Sequence, residues 1–411
     1  MSSEGISRRS LYVRYALIMF LFYFTVSMTA YISVYLQEQG LSSTQIGTVV
    51  AISGIIAAVL LPLWGMLSDR LQSARTSFVI CCASAAIAFL LVPATSKIFI
   101  GPVALSIIFL VINLAFRGPS NNLVVSWMAR ESTFNKINYS SVRLWGSIGF
   151  SAMLLLLSAI IPSTGTIVIF YLTAALTVVQ ITVCYTVKED KIIDKKKVTL
   201  KELKVGRIFT NYYFMLYLAL VVAMVIYDAI TMTYMPFLIT AIGANTASTG
   251  LIIGTRALFE MLIMLVVIFF KKRVPLTYLL IAAGVLFGIE HMLYPLSTAM
   301  LHIVLISMIS GVASGVFLGL GPSYVLSIVP PELNNTAQTV WGSAMMGTLI
   351  VASFAGGILV DRIGIKRLLF GCGIVILAIT ACFALSLFLG MKVFRLKTPE
   401  SVYKPITKIE G

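Results

Sequence analysis

The chain alternates long apolar stretches with short polar breaks marked by charge, Gly or Pro. Twelve such stretches run over about 11–37, 45–67, 77–95, 101–128, 140–161, 167–187, 210–240, 248–270, 275–297, 301–329, 337–360 and 368–391. Each is long enough, or nearly so, to cross the hydrocarbon of a bilayer as a helix, which takes roughly 20 apolar residues. The pattern therefore predicts an all-α polytopic membrane protein with twelve transmembrane helices. The first stretch begins near Leu11, is too long for the core of a signal peptide and is followed by further spans, so it is read as a retained helix.

Composition narrows the class. Of 411 residues 59% are hydrophobic and only 11% charged, with a mean hydropathy of +1.00. A soluble chain carries about 25% charged residues, so a soluble enzyme, a nucleic-acid binder and a disordered linker are excluded. The net charge of +15 then reads as topology. With both termini inside, basic residues gather on the cytoplasmic side: Arg8 and Arg9, Arg70 and Arg75, Arg130 and Lys136, the run from Lys188 to Arg207, Lys271 to Arg273, and the tail beyond Lys392. This is the positive-inside pattern of a multi-pass protein of the cell membrane. Arg362, Lys366 and Arg367, which land outside with Asp361, run against it. The five cysteines all fall inside apolar runs without paired spacing and are read as packing residues.

The polar segment 188–209 divides the chain near its middle, giving an N-terminal six-helix half (1–187), a cytoplasmic central loop (188–209), a C-terminal six-helix half (210–391) and a cytoplasmic tail (392–411). Internal similarity supports the cut. Gly118-Pro119-Ser120 recurs as Gly321-Pro322-Ser323, and Trp145-Gly146-Ser147 as Trp341-Gly342-Ser343, each displaced by six spans. Two six-helix pseudo-repeats of this parallel kind build one class of secondary transporter, with the solute site at midplane.

Charges inside spans cost ~2.5–3.5 kcal/mol each on insertion scales and mark functional candidates. They are Arg117, Arg143, Asp228, Arg256, Glu260 and Glu290, with Asn121, Asn122 and His291 beside them. Arg14 lies a turn inside the first span and is placed to snorkel to the surface. Arg256 and Glu260, four apart on one helix face, either neutralise each other for insertion or form a carboxylate whose charge state answers to the neighbouring cation. Asp228 and Glu290 must pair or protonate in hydrocarbon, and Arg117 is a natural mate for one of them. Gly311, Gly315 and Gly319 repeat every four residues and form a groove for close helix contact. Pro62, Pro119, Pro236 and Pro322 interrupt spans where bending would serve gating.

The turn Gly65-Met66-Leu67-Ser68-Asp69-Arg70 between the second and third spans resembles the signature of the major facilitator superfamily. The runs Leu41-Ser42-Ser43-Thr44-Gln45-Ile46-Gly47, Pro62-Leu63-Trp64-Gly65 and Arg143-Leu144-Trp145-Gly146-Ser147-Ile148-Gly149 resemble, more narrowly, its branch with phenylpropionate permease, nucleoside–proton symporters and lactose permease. The resemblance implies gating by Gly65, Asp69 and Arg70. It makes Arg143 similar to a solute-binding arginine of the fifth helix, with Phe150 where that branch has a stacking tryptophan. Glu260 is similar to a coupling glutamate of the eighth helix, and Asp228 to an aspartate of the seventh. The chain departs from the pattern where Asn121 or Asn122 replaces a fourth-helix glutamate and where Glu290 replaces a ninth-helix arginine.

The expected function is symport of a small polar organic solute (a sugar, nucleoside or aromatic acid) with protons by alternating access. Glu260, Asp228, Glu290 and Arg256 are the proton-coupling set, and Arg143, Asn121, Asn122, Arg117, Phe150 and Tyr324 the solute-binding set. The alternative is a proton-driven antiporter exporting a drug or metabolite; the resemblance makes it weaker, because exporters of that superfamily typically show a Gly-Pro motif in the fifth helix and Gly146 to Ile161 contains no proline. An intramembrane enzyme would need converging nucleophile, base or metal ligands, for which the chain's two histidines offer no cluster. The expectation is a monomer with no cofactor and no metal, whose partners are the solute, protons and the bilayer.

Overall fold

The structure, a computed structural model, describes residues 7–101, 103–187, 206–270, 274–330 and 333–392, without the side chains of 69, 206–207, 268–270 and 334–335. Most of the 188–209 segment, the basic residues 271–273, the tail from 393 and the Asp69 side chain lie outside these. Twelve helices are long and apolar enough to cross a membrane: α1 (Arg8–Glu38), α2 (Ser43–Ser68), α3 (Ala74–Ala94), α4 (Leu105–Phe134), α5 (Tyr139–Thr164), α6 (Val168–Tyr185), α7 (Tyr212–Ala241), α8 (Thr246–Val267), α9 (Leu276–Leu296), α10 (Met300–Ile328), α11 (Thr336–Ile363) and α12 (Ile365–Lys392). All coincide with the apolar stretches of the sequence, although α4 starts later than expected because Phe99–Ile100 and Val103–Ala104 pair as a two-stranded antiparallel hairpin before it.

Local chemistry sets the ends. Ser7, Ser73, Asn138 and Asn211 cap α1, α3, α5 and α7 by accepting backbone N–H bonds from Ser10, Thr76, Ser140 and Phe214, which satisfies donors that a helix start leaves open. Gly364, at φ +80°, is the single residue between α11 and α12. Asp361, Arg362 and Lys366 are thus confined to one tight turn, and a left-handed φ there favours glycine.

The chain packs as two units. The first comprises 1–195 with 245–257, the second 196–244 with 258–411. In the first, α3 packs on α4 and α1 on α5, around a core that includes Ile18, Phe22, Phe78, Val124 and Trp127. The beginning of α8 joins this unit through Tyr31, whose hydroxyl donates to Ala247 O (2.7 Å) and accepts from Gly250 N (2.9 Å). In the second unit α9 packs on α12 and α10, and α11 on α7, around Phe214, Tyr217, Leu280, Phe287, Leu320 and Tyr324.

Three details sharpen the sequence reading. Arg14 does not simply snorkel: it donates to Thr186 O, and Arg75 donates to Val187 O at 2.8 Å, so both cations meet carbonyls at the C-terminal end of α6, where a helix end attracts positive charge. Cys382 is exposed, whereas Cys81, Cys82, Cys184 and Cys372 are buried. The Gly315 and Gly319 groove receives α8, and a methyl on Gly315 would stand 2.6 Å from Glu260 O.

Candidate functional site

In the first unit α1, α4 and α5 bring a polar chain of contacts together. The Arg143 guanidinium lies 4.1 Å from the centre of the Tyr23 ring, a cation–π distance, and the Tyr23 hydroxyl donates to Asn121 Oδ1 at 2.7 Å. Glycine permits the approach. A methyl on Gly146 would come within 2.5 Å of the Tyr23 ring and 3.0 Å of Arg143, and one on Gly149 within 2.5 Å of Phe20 O. The two glycines of the Arg143–Gly149 motif therefore act by letting α1 lie against α5. Trp145 of the same motif donates to the Tyr12 hydroxyl at 3.0 Å.

Arg117 takes a different partner from the acid expected. It donates to Val26 O, at the point where α1 changes to 3₁₀ geometry over Ser27–Tyr31. The physical reason is that a helix break exposes a carbonyl, and a guanidinium in a low-dielectric interior binds such an acceptor strongly. Among the described residues neither Arg117 nor Arg143 forms an ion pair with a carboxylate. Beside Arg117 lies a cavity of about 50 Å³ between α1, α3, α4 and α6. Asn113 Oδ1 and Gln180 Nε2, from its lining, are buried without a hydrogen-bond partner.

Of the remaining solute-binding candidates, Asn122 is exposed and Phe150 half-buried on their helices. Tyr324 is fully buried in the core of the second unit, its ring 4.8 Å from that of Tyr217, and so faces packed side chains instead of an open surface. Among the gating candidates, Gly65 and Arg70 are exposed, and a methyl on Gly65 would meet nothing within 4 Å.

The acids of the coupling set all belong to the second unit. Asp228 and Glu260 are half-buried on α7 and α8, with Arg256 buried one turn before Glu260. Glu290 and His291 are wholly buried on α9, His291 Nδ1 standing 3.3 Å from Glu290 Oε1. Ser310 of α10 donates to Glu290 Oε1 at 3.0 Å, and Thr231 of α7 lies 2.8 Å from His291 Nε2. The sequence reading named His291 only as a neighbour and missed Tyr23, Asn113, Gln180, Thr231 and Ser310. No linear signal separates these five from other polar residues of apolar spans. Among the described residues no group of His, Cys, Asp and Glu could hold a metal.

Comparison with known proteins agrees with this architecture. A model of the MFS_1 like family matches residues 12–371. The uncharacterized transporter YwbF of Bacillus subtilis (strain 168) is 25% identical over 398 residues, covering 94% of this chain and 96% of YwbF. The fold is similar to the crystal structure of the nucleoside transporter NupG (TM-score 0.76, 17% identity, 94% of this chain and 100% of that one). It is also similar to that of a D-xylose-proton symporter (TM-score 0.66, 16% identity, 95% and 98%). With the family match running through eleven of the twelve spans and into α12, the chain belongs to the MFS_1 like family and is a multi-pass membrane transporter of the major facilitator type, not an enzyme.

Proposed function

We propose that this transporter moves a small polar organic solute, of the sugar, nucleoside or aromatic-acid kind, together with protons by alternating access. In this reading it is a monomer of the cell membrane with both termini cytoplasmic, and its two six-helix halves, 1–187 and 210–391, are joined by a cytoplasmic loop at 188–209. The observation that carries the reading is the chain Arg143–Tyr23–Asn121. It offers a guanidinium that has no carboxylate partner among the described residues, an aromatic face and an amide, the groups that recognise hydroxyls, heterocyclic bases and carboxylates. Asn122 and Phe150 complete the proposed solute site. Arg117 reads better as a support of α1, and Tyr324 as core.

The acids of the second unit supply the proton chemistry. Asp228, Glu260 and Glu290 lie in membrane-spanning helices, where a carboxylate must be paired or protonated and can therefore exchange its proton with the state of its surroundings. Arg256, one turn from Glu260, makes that residue the first candidate for a charge state that answers to solute occupancy. Gly65, Asp69 and Arg70, after the second span, are proposed to gate the cycle. The neighbours NupG, a nucleoside transporter, and the D-xylose-proton symporter support the nucleoside and sugar classes without deciding between them.

The test is purified protein in proteoliposomes with an imposed pH gradient, offered a labelled nucleoside, a pentose and an aryl carboxylate. Symport predicts that one of them accumulates above its equilibrium level when the outside is acid, and that a protonophore abolishes this. Accumulation only in vesicles with an acid interior would establish the exporting antiporter instead. Transport indifferent to the gradient would overturn proton coupling.

A further inference from the structure

The Glu290–His291 pair is built in a way that the coupling role assigned to intramembrane acids does not require. Both side chains are 0% exposed. A wholly buried carboxylate is tolerated only when paired and hydrogen-bonded, and α7, α9 and α10 contain no Lys or Arg at all. On these three helices only His291, and His302 at the exposed start of α10, can carry positive charge. Glu290 Oε1 receives the Ser310 hydroxyl and lies within ion-pair distance of His291 Nδ1.

The two ring nitrogens have different surroundings. Nδ1 lies 2.7 Å from Phe287 O, which can only accept, so Nδ1 carries a proton whatever the charge of the ring. Nε2 faces Thr231 Oγ1 at 2.8 Å and Tyr227 O at 3.2 Å, and the Thr231 hydroxyl can itself donate to Tyr227 O at 3.1 Å. With Nε2 protonated, the ring donates to Thr231 while Thr231 donates to Tyr227 O. With Nε2 bare, the Thr231 hydroxyl turns and donates to the ring. One proton can therefore enter or leave at Nε2 with a hydroxyl rotation and no displacement of a heavy atom. Protonation converts a carboxylate beside a neutral ring into a neutral ion pair.

We propose that Glu290, His291, Thr231 and Ser310 form a proton-binding site inside the second unit, with Nε2 of His291 as the atom that gains and loses the proton. Its role as a station of the coupling proton, additional to Glu260, rests on the proton-symport reading above. The nearest ionisable groups on the elements around it are Tyr227 and Asp228 on α7, Tyr294 near the end of α9 with its ring 6.4 Å from that of His291, and Cys372 on α12, whose cations Lys366, Arg367 and Lys392 stand at its two ends. Cys372 adjoins Gly373, the glycine that packs on Met292 and on Gly288 O. From α10 the site is met by the uncharged Ser310.

The chain has only two histidines, so protein labelled with ¹⁵N-histidine in nanodiscs gives two imidazole patterns, and His302→Gln leaves one. Between pH 5.5 and 9.0 the His291 signals are expected to show Nδ1 protonated throughout and Nε2 changing between protonated and bare. Glu290→Gln should move the pH of that change by a unit or more. A ring that does not change over this range, or one that loses its proton from Nδ1, would overturn the proposal and leave a static pair pinning α7, α9 and α10. Should Glu290→Gln not fold, the parental spectra decide alone. Uptake in proteoliposomes separates the two readings. Titration at Nε2 without gradient-driven transport sinks symport but keeps the site, whereas gradient-driven transport with a silent ring sinks the site alone.

Discussion

Arg117 donates to the carbonyl of Val26, the last residue of α1 before its helix narrows to 3₁₀ geometry. Thr29 donates its hydroxyl to the same oxygen at 3.0 Å. A cation that the sequence presents as a charge in hydrocarbon in this way holds the start of the 3₁₀ stretch in the first span.

Arg117→Met should accordingly lower stability by about 1.5–3 kcal/mol, the range for a hydrogen bond involving a charged group, seen as a reduced melting temperature of the purified protein in detergent. Arg117→Lys should recover part of it. A melting temperature equal to the parent, with solute binding lost, would return Arg117 to the solute site.

The repeated Trp-Gly-Ser tripeptides should respond unequally to the same change. A methyl on Gly146 collides with Tyr23 and Arg143, while one on its repeat mate Gly342 meets nothing within 4 Å. Gly146→Ala, and Gly149→Ala against the Phe20 carbonyl, should each cost about 1–3 kcal/mol by overpacking; Gly342→Ala should be neutral or slightly stabilising. Thermal melts of the three variants check this, and equal effects at 146 and 342 would contradict it.

For solute recognition, Arg143→Ala should weaken binding by about 2–5 kcal/mol, the cost of truncating a buried hydrogen-bonded charge contact. Arg143→Lys should also be poor, because an ammonium lacks the planar fork and stacks less well on Tyr23. Tyr23→Phe keeps the ring under the guanidinium but drops the bond to Asn121, so its loss should be smaller than that of Tyr23→Leu. Isothermal titration with the transported solute ranks the series, and unchanged affinity in Arg143→Lys would remove Arg143 from the site.

Glu260→Gln preserves shape and removes ionisation. Uphill accumulation driven by a pH gradient should disappear, while exchange of internal for external solute, which needs no net proton movement, should persist. Continued accumulation in this variant would pass the coupling assignment to Asp228.

Hydropathy made all twelve spans legible, because twenty apolar residues in a row have few other uses, and the charged residues inside them stood out for the same reason. Partners were not legible. That Arg143 rests on Tyr23 depends on Gly146 being bare on the same helix as Arg143, and that Arg117 meets a carbonyl depends on a 3₁₀ stretch in a run whose apolar pattern is unbroken. Glu290 and His291 are adjacent in sequence, yet Thr231 and Ser310, which complete their surroundings, come from helices 60 residues before His291 and 20 after Glu290. Span-level chemistry follows from composition, whereas hydrogen-bond chemistry follows from rotation and depth of each helix.

The 3₁₀ stretch of α1 also resets the phase of the helix. A 3₁₀ turn advances about 120° and 2.0 Å per residue against about 100° and 1.5 Å for an α-helix. Over the five residues Ser27–Tyr31 the surface beyond the break is therefore turned by about 100° and pushed on by about 2.5 Å relative to an uninterrupted helix. The first span thus addresses two sets of neighbours with one chain. Before the break Tyr23 meets Asn121, and at its end Tyr31 meets Ala247 and Gly250. A single inserted or deleted residue between Val26 and Ile32 would rotate one set of contacts away while leaving the other in register.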